Sequence, residues 1–472
     1  MSPTIPHQPS PADAGEEPVL TGDVVWPDDP RYDEARSEYN EIFDVHPRVI
    51  VFCKSAEDVR NAVKWAGFHA VPIRARCGRH SYEGWSTVQD GIVVDVSWMD
   101  LVQVDADAGT ARVEAGIDLW PLYVKLWEHG VTIPGGSCPT VGISGLVLGG
   151  GFGLLGRWLG LTCDSLLAVE MVTAQGESVY ADEQVNEDLY WACLGGGGGN
   201  FGIATAFTFG VTPIGDVSIY NISWSWSDLP AVLQAWQAWA PGADDRLTSI
   251  LKLTAASSGS ISSIGEFVGG KDELAALLQP LLASAPATSV EIRTEPYIEA
   301  VEYFAGLKPG QIHWSAHWHG DHTRFKNTSA YAYDLFGPDA VERIMDALRA
   351  APNASGLVQL DAYGGAVARV PPAATAFYHR AGVQWNMQFQ AYWTDPADQD
   401  ANVAWVEAFR ESLLPFTRGA YVNYIDRDVA DWQEQYYGGN FARLTQVKAA
   451  WDPGNVFNYP QSIPVGPAPG LA

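Results

Sequence analysis

Glycine is bunched in this chain in a way that limits what it can fold into. IPGGSCPTVGISGLVLGGGFGLLGR runs from Ile133 to Arg157, and GGGGGNFGIAT runs from Gly195 to Thr205. Such runs permit close backbone approach and dihedral angles that other residues resist. A third, polar segment, RCGRHSYEG (Arg76–Gly84), follows a strand-like stretch, where a loop can turn its N–H groups toward a phosphate. Three such segments point to a large phosphate-bearing cofactor rather than to isolated turns. The run Gly151-Phe152-Gly153-Leu154-Leu155-Gly156, with Glu170 beyond it, spells a dinucleotide fingerprint. Its context is wrong for one. A glycine-rich loop precedes it, and only about nine residues separate it from the next strand, too few for a crossover helix.

Between these runs the local signals are conventional. Arg48–Phe52 reads as a strand, Ser55 caps a helix with Val59, Ala62, Val63 and Ala66 on its apolar stripe, and Val71–Arg74 reads as the next strand. Gly91–Val96 is a further strand. Leu101–Val104 and Ala111–Ala115 form a hairpin about Asp107-Ala108-Gly109, Asp118 caps a helix ending at Gly130, and Leu166–Tyr180 is a second hairpin turning at Gln175-Gly176. Past Val211 the character changes to alternating segments such as Ser218–Ser227 and helical ones such as Pro338–Ala351. Near Arg418 the first character returns. With 472 residues the chain is too long for one ordinary core. The pattern predicts a domain made from both chain ends with a second inserted in it: a loose tail over 1–25, a first part over 26–212, the insertion over 213–419, and a closing part over 420–472.

The formal net charge of -28 repels nucleic acid phosphates and anionic lipids, so neither is expected as a partner. No apolar run of ~20 residues predicts a membrane helix. The N-terminus lacks the basic-then-apolar order of a secretory signal, and a cytoplasmic location is expected. An odd number of cysteines, five, argues against a disulfide framework.

Taken in order, RCGRHSYEG, GGSCPTVG with GGGFG, GGGGGNFG, and a terminal YVNY, GGNFARL, DPGNVFN and QSIP resemble the berberine bridge enzyme-like family of vanillyl-alcohol-oxidase type flavoproteins. The resemblance runs from about Pro47 to Ile463. It implies an α+β fold: a two-part PCMH-type FAD-binding domain built from both chain ends, and an inserted substrate domain of antiparallel sheet covered by helices. It implies FAD bonded covalently through His80 at the flavin 8α-methyl carbon and through Cys138 at C6. An imidazole nitrogen and a thiolate are both nucleophiles able to add to an electron-poor ring. Two bonds should also raise the reduction potential. Gly78, Arg79 and Ser81 are expected to cradle the pyrophosphate. Gly142, Gly145, Gly149 and Gly150 are expected to line the flavin's other side, with Gly198, Asn200 and Phe201 near the ring and ribityl chain. Cys77 fills a variable position of the first motif and reads as a packed side chain.

The same resemblance makes Tyr424, the second Tyr of YVNY, the base for a substrate hydroxyl. A phenol with pKa ~10 needs a polar partner or a nearby positive charge to act as one. Plant relatives use a Lys on a neighbouring strand; here Asn386 stands at that position, and Gln388 stands where a Gln does. Tyr421 is a weaker candidate, because sharing a strand face with Tyr424 needs an even spacing. Val141 directly after Cys-Pro-Thr implies access of dioxygen to the flavin. The expected partners are thus a small-molecule substrate and O2, and the expected activity is an oxidase acting on an alcohol or hemiacetal carbon and releasing hydrogen peroxide. Other readings are a dehydrogenase, an oxidative-cyclisation enzyme, and a flavin-bearing structural or coat protein. His313, His317, His319 and His322 in QIHWSAHWHGDH lack the accompanying carboxylate or thiolate logic of a defined site, so no metal is expected. Trp314, Trp318, Tyr378 and Trp385 suggest an aromatic sugar platform, but the Trp content of the middle segment is average and does not argue for it.

Overall fold

The computed structural model describes residues 17–307 and 322–466. The first sheet is formed by Asp23–Val25 (β1), Val49–Phe52 (β2), Ile73–Arg76 (β3) and Ile92–Asp95 (β4), in the order β1-β2-β4-β3. β2, β4 and β3 run parallel, and β1 closes the edge antiparallel. Every residue of β2 and β4 is buried, as a parallel sheet covered on both faces requires. The loose stretch expected up to residue 25 is therefore too long. Asp23–Val25 pairs with Ile50–Phe52 and covers what would otherwise be a bare edge; residues 1–16 lie outside the described residues. The helix Ala56–His69 starts as read, with the Ser55 hydroxyl accepting from the Asp58 N–H and the apolar stripe buried. β3 begins two residues later than the sequence suggested, because Arg76 is drawn inside by Asp95 and Glu38.

The second sheet comprises Val102–Asp105 (β5), Thr110–Glu114 (β6), Leu166–Val172 (β8), Ser178–Asp182 (β9) and Ile203–Gly210 (β10), all antiparallel, in the order β5-β6-β10-β8-β9. The short strands Val131–Thr132 (β7) and Thr212–Pro213 (β11) pair beside it. Both hairpins read from the sequence turn where glycine takes a positive φ, +67° at Gly109 and +71° at Gly176. Glu170 of β8 is paired with Arg112 of β6 at 2.7 Å on the surface of the sheet.

The third sheet has seven antiparallel strands: Asp216–Ser225 (β12), Leu247–Thr254 (β13), Ser260–Phe267 (β14), Ser289–Pro296 (β15), Arg324–Ala332 (β16), Leu357–Ala362 (β17) and Trp385–Trp393 (β18). Their order is β15-β12-β14-β13-β17-β18-β16. Met387, Phe389 and Ala391 of β18 join Val358 and Leu360 of β17 in an apolar core with the helices Leu229–Trp239, Pro338–Arg349 and Gln399–Leu413. Ala420, Tyr421, Phe441 and Leu444 then return to the core that holds Val49 and Val172. Trp385 lies within the helix-covered core against Trp236, away from any sugar platform. Among the described residues no helix is long and apolar enough to cross a membrane.

Several contacts hold the third sheet against the rest, two of them at its Arg157 side. The fully buried Arg157 donates to the carbonyls of Leu247 (2.8 Å), Pro241 (2.8 Å) and Ala243 (2.6 Å), and also to that of Tyr363. Nearby, Thr132 of β7 bonds the Tyr297 hydroxyl at 3.2 Å. Glu266 of β14 is only 2% exposed there, and burial, with Glu295 adding to it, pushes its carboxyl up to about 8.

Candidate active site

A cleft between the glycine loops and the third sheet is lined by both His80 and Cys138. The loop carrying His80 leaves β3 through Arg76, whose guanidinium bonds Asp95 at 2.6 Å. Arg79 takes a φ of +62°, and burial, then the nearby Arg76, pushes its guanidinium down to about 10. The His80 ring stacks on Tyr39 at 4.1 Å between centroids. Its Nε2 lies 2.8 Å from the Thr140 hydroxyl, and the Cys138 Sγ lies 3.8 Å from the same oxygen. Two nucleophiles from separate loops thus meet across one hydroxyl. Cys138 opens onto the cleft while protein surrounds most of it. Burial raises its thiol pKa and the Thr140 hydrogen bonds oppose the rise. Cys77, in contrast, bonds the Ala115 carbonyl at 3.2 Å, and burial holds its pKa far above the ordinary thiol value.

The cleft fits a long phosphate-bearing cofactor. Its two loops touch because Gly78 and Gly142 lack side chains. A Cβ on Gly78 would lie 2.3 Å from the Gly142 nitrogen, and one on Gly142 would lie 2.2 Å from the Cys77 sulfur. Farther along, a Cβ on Gly145 would meet nothing within 4 Å, which leaves room beside the backbone. Arg74 also lines the cleft, and its buried Nε has no hydrogen-bond partner.

The other wall is set by strand periodicity. In WNMQFQAYW successive side chains alternate faces. Met387, Phe389 and Ala391 point into the core, so Asn386, Gln388, Gln390 and Tyr392 point the other way. Register then places Gln359 opposite Gln388, Asp361 opposite Asn386, and Asn327 opposite Gln390. A chain of neutral hydrogen bonds results. Asn327 donates to the Tyr392 hydroxyl (3.1 Å), which donates to Gln390 (3.2 Å); the Gln390 amide donates to Gln388 (3.0 Å), and the Gln388 amide to the Tyr82 hydroxyl (2.6 Å). The Tyr82 ring lies parallel to that of Tyr424 at 5.5 Å, and Tyr421 meets Tyr424 edge-on at 4.8 Å. Asp361 accepts from Gln359 (2.8 Å) and Asn386 (3.2 Å). Burial pushes its carboxyl up to about 6. Burial also raises the Tyr424 phenol well above its ordinary value, and the Asp361 charge adds to the rise.

Lys326 of β16 locks these parts together. It bonds Asp426 (2.6 Å), Asp428 (3.0 Å) and Glu83 (3.1 Å). Burial works against its charge, but Asp426 and Glu83 outweigh burial and hold its pKa above the ordinary ammonium value. One ammonium therefore joins the His80 loop, the third sheet and the segment just after Tyr424.

Residues 47–182 match the family model described as FAD binding domain, and residues 420–464 match the one described as berberine and berberine like. YgaK of Bacillus subtilis (strain 168), described as an uncharacterized FAD-linked oxidoreductase, is 43% identical over 95% of this chain and 98% of its own length. The chain belongs to the berberine bridge enzyme-like family of FAD-linked oxidoreductases. Two solved structures extend the likeness to three dimensions. BBE-like 1 of Physcomitrella patens superposes with a TM-score of 0.88 at 32% identity, covering 95% of this chain and 98% of that one. Phl p 4, a grass pollen allergen described as having glucose dehydrogenase activity, gives 0.86 at 27% identity, covering 94% and 97%. A variant of Phl p 4 with one isoleucine replaced by valine is described as a glucose oxidase.

In this berberine bridge enzyme-like cleft, the lining includes His80, Cys138, Gly78, Arg79, Ser81, Val141, Gly142, Gly145, Gly198, Gln388, Tyr421 and Tyr424. Four expected cofactor neighbours, Gly149, Gly150, Asn200 and Phe201, are absent from this lining and pack against neighbouring residues. A Cβ on Gly149 would strike the Asn423 side chain at 2.0 Å, and one on Gly150 would strike Phe377 at 2.7 Å, so both serve packing. Phe201 is buried in the core, and Asn200 bonds the Gly197 carbonyl and Tyr459 and accepts from the Ile463 N–H. Asn386 is absent from the cleft lining and donates instead to the buried Asp361 carboxylate. The even-spacing argument against Tyr421 does not apply, because Val422–Tyr424 is a tight helical turn and not a strand. Tyr39, Tyr82, Thr140, Asp361 and Lys326 were not singled out from the sequence. Tyr82 and Thr140 stand inside the two attachment motifs, and Asp361 is an isolated acid in an otherwise apolar and amide strand. His313, His317 and His319, with Trp314 and Trp318, lie outside the described residues; His322 bonds the Glu38 carbonyl through Nδ1 at 2.9 Å. Among the described residues no cluster of His, Cys, Asp and Glu is arranged to hold a metal.

Proposed function

We propose that this enzyme carries FAD bonded to both His80 and Cys138 and oxidises a hydroxyl- or hemiacetal-bearing carbon of a neutral polyhydroxylated substrate such as a sugar, with dioxygen reduced to hydrogen peroxide. The observation that carries this reading is the uncharged row of Asn327, Gln388, Gln390, Tyr392 and Tyr82, which ends at the Tyr424 ring stacked on Tyr82. Amides and phenols both donate and accept, which suits the hydroxyl pattern of a neutral polyol.

Bound FAD supplies a two-electron acceptor for hydride at N5. Tyr424 takes up the substrate's hydroxyl proton. A charged Asp361 opposes a phenolate beside it, so the pair gives up protons in turn and Asp361 serves as the final acceptor. Gln359 and Asn386 hold that carboxylate in place by two amide hydrogen bonds. Tyr82, fixed by Gln388, keeps the Tyr424 ring parallel to itself. The descriptions of Phl p 4 and its valine variant support both a sugar substrate and a role for a small side chain in oxygen use; Val141 is this chain's candidate for that role.

An anaerobic panel of sugars, polyols and aromatic alcohols tests the substrate class. A sugar should bleach the yellow protein, and air should restore the colour with peroxide released. Bleaching by aromatic alcohols alone overturns the substrate class. Free FAD in the supernatant of acid-precipitated protein overturns the attachment.

A further inference from the structure

We propose that the Thr140 hydroxyl couples the two attachment nucleophiles, passing the Cys138 thiol proton toward His80 as the sulfur bond to the flavin forms. The inference rests on the two-point attachment proposed above. It starts from geometry: the Thr140 oxygen stands 2.8 Å from His80 Nε2 and 3.8 Å from Cys138 Sγ. A threonine hydroxyl has one hydrogen to give and two lone pairs to receive with. It can therefore accept from the thiol and donate to the imidazole at once. The two loops reach this closeness because neither Gly78 nor Gly142 carries a side chain: a Cβ on Gly78 would lie 2.7 Å from the Thr140 carbonyl.

The step balances as follows. The S–H bond of Cys138 and the C6–H bond of the ring break, and the S–C6 bond forms. The thiol proton passes through Thr140 to His80 and on to solvent, the C6 proton is released likewise, and the two electrons go to dioxygen, which takes up two protons and gives hydrogen peroxide. Thr140 acts on Cys138 and His80 and is a positioning residue.

The test compares Thr140→Val, which keeps the shape and removes the hydroxyl, with Thr140→Ser, which keeps the hydroxyl. Full-length protein is purified in air, acid-denatured, digested, and the peptides holding Cys138 and His80 are weighed for FAD. The Ser variant is expected to match the native chain. The Val variant is expected to retain flavin at His80 with the Cys138 adduct reduced roughly tenfold or more, which is the loss of about one relay contact. If Val misfolds, Thr140→Ala makes the same comparison. A Val or Ala variant doubly attached to the native extent overturns the proposal, as does a Ser variant that fails like Val. A native chain whose Cys138 peptide carries no flavin overturns the two-point reading itself, and this inference with it.

Discussion

Asp361 and Asn386 face each other on β17 and β18, and the Asn386 amide donates to the Asp361 carboxylate at 3.2 Å. The strand position where plant relatives place a cation thus supports a buried acid whose charge is felt at Tyr424. A carboxyl pushed up to about 6 is mostly protonated below that pH and accepts no proton there. Reduction of the flavin by saturating substrate should therefore accelerate as pH rises through about 6. Asp361→Asn should remove that limb and slow the step by roughly 100-fold, measured by anaerobic stopped-flow absorbance across pH.

Tyr424→Phe keeps the ring stacked on Tyr82 and removes only the hydroxyl. The bound flavin spectrum should be unchanged, while flavin reduction slows by roughly 100- to 10,000-fold. A variant reduced at the native rate would show that the proton goes elsewhere.

Val141→Leu adds bulk to the cleft lining at the proposed oxygen approach. Reoxidation of the reduced enzyme by air should slow roughly tenfold or more, while turnover with an artificial dye acceptor stays near native. Equal loss with both acceptors would point to damage to substrate binding instead.

Glu266 offers a stability test away from the chemistry. Its folded carboxyl is pushed up to about 8, above an unfolded value near ~4.3. Below the unfolded value both states hold the proton and the fold suffers no penalty. As pH rises toward about 8 the unfolded chain releases that proton more readily, and stability falls until the folded group also ionises. Glu266→Gln should therefore melt higher than the native protein by a few degrees at pH 8 and show little advantage at pH 4, by differential scanning fluorimetry.

Arg157→Met removes the donor to four carbonyls at the seam between the third sheet and the rest. The loss should be roughly 3–5 kcal/mol, as for several buried carbonyls left without a donor. Chemical denaturation should then show the two halves unfolding separately rather than in one transition.

The sequence made contiguous features legible. Helix capping at Ser55, the glycine turns at Gly109 and Gly176, and the paired motifs holding His80 and Cys138 depend on neighbours only a few residues away. Contacts made across the fold were hidden. Thr140 and His80 are 60 residues apart in the chain, and Asp361 meets Asn386 only through a strand register that no local pattern sets. At Gly149 and Gly150 the sequence does not separate the two roles, because a glycine run serves tight packing and cofactor approach with the same letters. Tyr421 misled because a period of two was applied to what is a helical turn.

The alternation along β18 separates two demands that usually compete. Side chains that recognise a guest alternate with side chains that hold the sheet to its helices, so either set can be exchanged while the other stays intact. Descendants of this scaffold could thus acquire new tastes by replacing Gln388, Gln390 or Tyr392 without weakening the architecture that presents them.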